Sequence, residues 1–320
     1  MTLKRINWID NAKAIGIIVV VYGHVGRGLE KAGITYSYFK EIDNFIYSFH
    51  MPLFFVLSGL FFVKSIEKQQ TKEFVISKIS SILYPYLIWS LIQIVIQFAA
   101  SSLINGDVTK YDVLTFFLPR GQFWFLLALF IIIILNLITF INYKYNGLII
   151  TSLSAILICH FIKPDDFTFK VFYHLIFFNI GCYLTYYKSL IEKISLKSTT
   201  LLIALIWLST YLLSQYFNLL IFDFWNSLTG SLSIISLSLS MLEKENFITY
   251  IGKYSIIIYL MHIIVTAFTR IILKKIFHIE EALLHILIGT LFGVIIPCIL
   301  YKYLLKNKFY YLFNQPFTTK

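Results

Sequence analysis

Charged residues are scarce in this sequence. Asp, Glu, Lys and Arg make up 13% of its 320 residues, whereas ordinary globular chains carry about 25%. Together with a mean hydropathy of +0.78, this scarcity excludes an ordinary soluble protein. Only 14 glycines and 6 prolines occur, which excludes collagen-like, disordered and linker-dominated chains. Apolar side chains make up 58% of the residues, and they indicate a membrane protein with many spans.

Cysteines and the common nucleotide and metal motifs are also few or missing. Cys159, Cys182 and Cys298 lie far apart inside apolar runs, so they indicate neither a disulfide framework nor a zinc knuckle. The sequence has no Walker loop and no HExxH motif. We therefore expect no bound metal, and no ATP-driven transport by this chain alone.

Ten continuously apolar segments dominate the sequence, most of them close to the ~20 residues that a membrane-spanning helix needs. They lack the alternation of barrel strands, so the spans are predicted to be helices. We predict an all-α, polytopic transmembrane bundle of about ten spans, with residues 1–320 forming a single domain. The predicted spans are Ala12–Arg27, Ile42–Val63, Ile82–Ile104, Gly121–Ile141, Leu148–Ile162, Val171–Tyr187, Thr200–Leu220, Phe224–Leu242, Ser255–Leu273 and Leu283–Leu305.

The basic residues indicate how the bundle is oriented. The net charge is +11, and most Lys and Arg residues fall in connectors on one side of the predicted spans. Because cytoplasmic loops carry the excess of positive charge, this bias predicts that both termini are cytoplasmic, N-in and C-in. The charges are spread through short connectors rather than packed into a stripe, so no nucleic-acid partner is expected.

The first span carries three ionisable residues, Asp10, Lys13 and His24. Eleven residues separate Lys13 from His24, which places both on nearly one stripe of the helix, about 16 Å apart. Ionisable groups inside a span are costly and point to function. Two other interpretations stay open: Lys13 is a topology anchor with Asp10 as its ion partner, or His24 is a packing residue beside neighbouring glycines.

The second span contains His50 two residues before Pro52. A proline inside a helix frees the carbonyl four residues earlier, here that of Ser48, and kinks the helix. Broken helix at membrane depth is tolerated where it is buried or lines a cavity. His50 is therefore predicted to face a pocket, although a purely structural kink would give the same sequence.

Polar residues also occur in the fourth and ninth spans. Arg120, Gln122 and Trp124 suit either an interfacial anchor or a sugar site in which a flat ring stacks on the pyranose. Tyr259 and His262 lie within the ninth span, where His262 is either functional or a core histidine. All seven histidines of the sequence fall at mid-depth or toward the outer face, by chance or because acid/base chemistry takes place there.

Four blocks of residues follow one another along the chain: Trp8-Ile9-Asp10 through Lys13 to His24, Phe49-His50-Met51-Pro52-Leu53-Phe54-Phe55 through Ser58-Gly59, Phe123-Trp124-Phe125-Leu126, and Gly252-Lys253-Tyr254-Ser255 to His262. This ordered series resembles the bacterial integral-membrane acyltransferase-3 family, and within it most closely the branch of fucose 4-O-acetylases and polysaccharide O-acetyltransferases. The resemblance covers nearly the whole chain. In the first block the family's basic residue, ten intervening positions and histidine correspond to Lys13 and His24. A lysine carries the positive charge of an arginine but cannot make its bidentate hydrogen bonds to phosphate.

The resemblance implies a multi-pass enzyme of the bacterial plasma membrane. It would move an acetyl group from cytoplasmic acetyl-CoA to a sugar hydroxyl of a cell-surface polysaccharide or its lipid-linked precursor. Lys13 and Asp10 would bind CoA, aided by a nearby lysine such as Lys64 or Lys68. His24 and His50 would be catalytic, with His24 acting as general base or as acyl carrier. The acceptor would be held by Arg120, Gln122, Trp124, Tyr259 and His262.

Two other functions are compatible with a polytopic basic chain. A secondary transporter or exporter of a glycan precursor would show related halves, and no internal repeat is visible. A noncatalytic subunit of a polysaccharide synthase would not need Lys13 and His24 on one stripe. For an acyltransferase, we expect the basic mouth at Lys13 and the imidazole of His24 to share one continuous channel.

Overall fold

The computed structural model describes residues 6–100, 109–162, 164–187, 191, 193, 194, 197–217, 219–241 and 245–314. These residues form helices and connecting turns and include no strand, which confirms the all-α prediction. The α-helices are α1 (Asn7–Lys31), α2 (Phe39–Tyr47), α3 (His50–Gly59), α4 (Phe62–Glu67), α5 (Thr71–Lys78), α6 (Tyr84–Ala99), α7 (Lys110–Leu114), α8 (Trp124–Leu157), α9 (Asp166–Tyr186), α10 (Lys197–Tyr216), α11 (Leu220–Ser240), α12 (Phe247–Lys253), α13 (Ser255–Ile271) and α14 (Ala282–Lys306).

Nine helical stretches of the described chain are long and apolar enough to cross a membrane. One of them, Gly121–Ile162, is a hairpin of two helices, because the backbone of Lys144 leaves helical geometry (φ 51°, ψ −133°). Beyond this break the chain runs back along itself, and Thr151 donates a hydrogen bond to Asn136 over 2.8 Å. The described residues therefore hold ten apolar crossings, in agreement with the ten predicted.

The predicted span boundaries agree with the helices to within several residues, except at the start of the third span. That stretch begins at Thr71 rather than at Ile82, since the Lys and Glu residues of α5 mask its helix in a hydropathy pattern. The predicted ends Ile104 and Leu242 lie outside the described residues.

The second span is broken between α2 and α3, as Pro52 predicts. The carbonyl oxygen of Ser48, which Pro52 cannot bond, accepts a hydrogen bond from the Ser227 hydroxyl over 2.6 Å. The carbonyl of Phe49 accepts one from Ser231 over 3.4 Å. Because both serines belong to α11, this helix satisfies the broken backbone and keeps it inside the protein.

α1 lies at the centre of the bundle, where it packs against α3, α11, α12, α13 and α14. By contrast, α10 is peripheral, and its described apolar window contains no buried residue. α3 and α9 cross with their backbones in contact. Gly59 permits this contact, since a Cβ at its position would overlap the carbonyl oxygen of Phe178. This arrangement brings side chains of α3 and α9 close to α1.

Candidate active site

Lys13 lines a cavity of about 220 Å³ near the beginning of α1. Its side chain is 31% exposed, and Lys253 lines the same cavity together with Ser58 and Ser81. α12 can approach α1 this closely because Gly252 has no side chain; a Cβ at this position would overlap the carbonyl oxygen of Asp10. The cavity thus has two cations and a few hydroxyls at a largely apolar wall. Lys253 belongs to the fourth sequence block, but the sequence did not indicate that it lies beside Lys13.

Asp10 lies beside Lys13 and does not line this cavity. The residue is buried, at 4% exposure, and one carboxylate oxygen lies 3.9 Å from the Lys13 ammonium. The ammonium also lies 5.7 Å from the centre of the Phe61 ring. The geometry therefore lets Asp10 act on a ligand through Lys13. Lys64 and Lys68 do not line the cavity.

His24 and His262 form a pair in the middle of the bundle, with ring centres 5.1 Å apart. The Nδ1 of His262 lies 3.0 Å from the carbonyl oxygen of Ile258 and 2.8 Å from that of Tyr259. A carbonyl only accepts hydrogen bonds, so this nitrogen carries the proton and Nε2 carries the lone pair. Nε2 is buried and has no hydrogen-bond partner among the described residues. The His262 ring packs against His24, and its Nε2 makes no hydrogen bond to it.

His50 is fixed in the same tautomer. Its Nδ1 lies 2.8 Å from the carbonyl oxygen of Ile46, and its ring packs edge-on against Tyr47. His50 itself is buried, at 3% exposure, while its neighbours Ser48 and Met51 line a cavity that His24 also lines. His50 was predicted to face a pocket, but it lines none of the cavities described here, because its ring is held inside the packed break by Ile46 and Tyr47; Ser48 and Met51 line the cavity instead.

The cavity beside His24 has a volume of about 700 Å³, within the range of ligand-binding pockets. We call it the large cavity. Trp124 lines it together with Lys170 and His174 of α9 and Asn226 of α11. Asn226 is 2% exposed, and its Oδ1 has no hydrogen-bond partner in the described part of the chain. The Nδ1 of His174 lies 2.7 Å from the Lys170 carbonyl, which leaves Nε2 of His174 as the basic nitrogen.

Sequence reasoning missed His174 and Asn226 as site residues. The only signal for His174 was its place among the histidines of the outer half. Asn226 gave no signal, because a single amide in an apolar helix is common and nothing local shows where it faces.

The residues predicted to hold the acceptor are divided among different places. Trp124 lines the large cavity, whereas Tyr259 lines the Lys13 cavity and donates its hydroxyl to the Gln122 carbonyl. The Gln122 side chain donates to Gln93 over 2.6 Å and borders a third cavity, which also reaches His24. His262 is fully buried and lines none of these three cavities.

Arg120 lies apart from the cavities that meet at His24. It pairs with Asp112 of α7 and donates to the Thr115 hydroxyl over 2.8 Å. Hydrogen bonds from Thr109 and Arg120 lower the pKa of the Asp112 carboxyl to about 2. In this position Arg120 ties α7 to the beginning of α8, as an interfacial anchor would.

The Lys13 cavity and the large cavity adjoin at Met51, which lines both. None of the cavities described here is lined by both Lys13 and His24, so the continuous channel expected from the sequence stays a prediction. Met51 comes to this junction because it lies in the first turn of α3, directly after the break in the second span.

The chain matches the acyltransferase-3 family model, described as "Acyltransferase domain", over residues 6–302. It belongs to the acyltransferase-3 family. The acyltransferase matches no curated protein and no solved structure. Its described residues contain no group of three or more His, Cys, Asp or Glu residues that could hold a metal ion. Membership makes the protein an acyltransferase, and its apolar helices make it a multi-pass membrane protein, so the transporter and synthase-subunit interpretations are set aside.

Proposed function

We propose that this acyltransferase moves an acetyl group from cytoplasmic acetyl-CoA to a sugar hydroxyl of a cell-surface polysaccharide or its lipid-linked precursor, in the bacterial plasma membrane. One observation carries the proposal. α1 places a basic cavity at Lys13 and an imidazole, His24, at a polar cavity about 16 Å farther along the same helix.

The Lys13 cavity suits the donor. CoA carries several phosphates that cannot enter the hydrocarbon core, and Lys13 and Lys253 would bind them as point charges at the mouth. At about 220 Å³, the cavity is smaller than a typical ligand pocket. It therefore suits the narrow pantetheine arm, while the nucleotide stays outside.

The large cavity suits the acceptor. Trp124 offers an aromatic face on which a sugar ring can stack, and the free Oδ1 of Asn226 can accept a hydrogen bond from a hydroxyl. His24 at the edge of this cavity would take the proton of the reacting hydroxyl as general base. The hydroxyl oxygen then bonds to the thioester carbonyl carbon, the carbon–sulfur bond breaks, and the thiolate of CoA receives the proton from His24.

The acyl-carrier route uses the same residue. His24 would itself bond to the acetyl carbon as CoA leaves, and the sugar hydroxyl would take the acetyl group in a second step. The two routes differ in one measurable way, because only the carrier route gives protein-bound label when labelled acetyl-CoA is supplied without acceptor.

The test uses membranes that contain the protein, acetyl-CoA labelled in the acetyl group, and surface-glycan precursors of the host. We expect label to enter the glycan as an alkali-labile ester. His24→Ala should lower this rate by roughly 10²–10⁴-fold, the usual contribution of general acid–base catalysis. His160→Ala, which removes an exposed histidine outside the cavities, is the matched control. Normal acetylation by His24→Ala, or movement of unlabelled glycan alone, would overturn the proposal.

A further inference from the structure

The third cavity, which also reaches His24, has no function assigned so far. It has a volume of about 340 Å³ and two unlike sides. α6 and α13 supply apolar residues, among them Ile96, Ile263 and Phe268, and Phe268 is 49% exposed on the outer surface of the bundle. Arg27, Lys31 and Arg270 supply positive charge. We call it the cationic cavity.

The charges of this cavity are only partly balanced. Arg27 is neutralised, because it donates two hydrogen bonds to Asp43, over 2.7 and 2.9 Å. Arg270 donates to the Gly28 carbonyl over 2.8 Å, which is a neutral partner, and Lys31 has no ion pair within the described chain. Among the described residues, no acidic side chain lines the cavity. Arg270 is partly buried beside apolar walls, where a positive charge without an anion is costly, whereas Lys31 is exposed at the rim.

Helix capping explains part of this arrangement. Arg270 and Lys274 donate to the carbonyls of Gly28 and Ala32, at the end of α1, as basic residues commonly do. Capping accounts for the position of Arg270 but leaves its charge unbalanced. Lys31 also suits this helix end, as a basic residue in the last turn of α1, and it brings a second positive charge to the cavity.

The position of the charges indicates what kind of anion fits. Lys31 lies seven residues beyond His24 on α1, which is about 10 Å along the helix, at the end of α1 opposite Lys13. His24 and Gly121 line both the cationic cavity and the large cavity. A phosphate held by Lys31 and Arg270 would therefore let an attached sugar extend past His24 into the large cavity.

We infer that the cationic cavity binds the phosphate or pyrophosphate of a lipid-linked acceptor, with its hydrocarbon chain against the apolar residues of α6 and α13. This inference rests on the proposed acyl transfer and selects the lipid-linked precursor over a finished polysaccharide. The apolar wall and the exposed Phe268 favour a lipid phosphate over a soluble sugar phosphate, which would leave that side of the cavity without a partner.

Binding to the purified full chain in nanodiscs tests the inference without acetyl-CoA. The probes are farnesyl phosphate, farnesol and glucose 1-phosphate, and the readout is the dissociation constant from native mass spectrometry. We expect farnesyl phosphate to bind at least about tenfold more tightly than either other probe, since only it meets both the cations and the apolar wall. Equal binding of farnesol, or tighter binding of glucose 1-phosphate, would overturn the inference.

Variants locate the site. Lys31→Gln and Arg270→Gln should each weaken farnesyl phosphate binding by about tenfold, while glutamine at position 270 can still donate to the Gly28 carbonyl. Lys40→Gln, which removes an 81% exposed lysine near the same end of α1, is the control and should bind normally. Unchanged binding by both variants would contradict the assignment. If acyl transfer fails while lipid phosphate binding persists, only the proposed function is wrong; transfer to glycan without lipid phosphate binding would remove only this inference.

Discussion

The His262 ring packs against that of His24, and its tautomer is fixed by the backbone of its own helix. In the proposed transfer His24 would receive a proton on one nitrogen, and the unpartnered Nε2 of His262 would hold the other, which would make His262 a positioning residue. His262 lines none of the three cavities, so it would touch neither donor nor acceptor.

We expect His262→Leu to lower kcat about tenfold, the rate equivalent of about one hydrogen bond, with little change in the KM for acetyl-CoA. His262→Gln should restore much of the rate, because its amide oxygen can accept the N–H in place of Nε2. Steady-state kinetics on matched amounts of membrane protein measure both. An equal loss in the two variants would indicate a packing role instead.

In the proposed transfer, Lys13 and Lys253 bind the donor. Replacing either lysine by alanine should raise the KM for acetyl-CoA about tenfold with kcat little changed, because the lost contact binds ground state and transition state alike. Added salt should narrow the difference between these variants and the unmodified protein. Lys64→Ala serves as control, since Lys64 lies outside the cavity. An unchanged KM would leave Lys13 as a topology anchor.

At the scale of the helices, the crossing of α3 and α9 holds the site together. α3 carries His50 and Met51, α9 carries His174, and the two backbones touch at Gly59. In lipid, no hydrophobic driving force brings helices together, so membrane helices associate through close backbone packing at small residues such as glycine.

We expect Gly59→Val to lower the free energy of unfolding by at least ~1–3 kcal/mol, the usual cost of overpacking, because the group in its way is a backbone carbonyl that cannot rotate aside. Thermal denaturation in detergent measures the effect. Ser209→Val adds similar bulk to the exposed face of α10 and should leave the melting temperature unchanged. A normal melting temperature for Gly59→Val would show that the helices can separate at no cost.

For the whole molecule, the proposed transfer requires the acyl group to pass from the Lys13 cavity to the large cavity. Met51 lines both cavities, and methionine is flexible enough to move aside. A side chain at this junction would also limit hydrolysis of the thioester before an acceptor is in place.

We expect Met51→Trp to lower kcat for acetyl transfer by about tenfold or more, since a small misplacement of reacting groups is costly, and to change the KM for acetyl-CoA less. Met51→Ala should instead raise the hydrolysis of acetyl-CoA in the absence of acceptor. Release of free CoA reports hydrolysis, and labelled glycan ester reports transfer. Met241→Trp, outside both cavities, is the control. Unaltered transfer by Met51→Trp would mean that the acyl group takes another path.

The sequence by itself determined the features that depend on neighbours along the chain. Hydropathy fixes the ten apolar crossings because each span must bury its own backbone in helix. The fixed rise of a helix places Lys13 and His24 on one stripe, and Pro52 frees the Ser48 carbonyl whatever surrounds it. The polar stretch around Lys144 likewise predicts the boundary between two spans, where the structure has the turn of the hairpin.

Only the tertiary structure decided which side chains meet across different helices. The His24–His262 pair, the place of His174 and Asn226 in the large cavity, and the junction of two cavities at Met51 depend on how far each helix is rotated and how closely it is packed. Arg120 shows the same limit, because its position near Trp124 in sequence did not bring it into the same cavity. Local periodicity carries no information on helix rotation in a chain that is apolar on nearly every face.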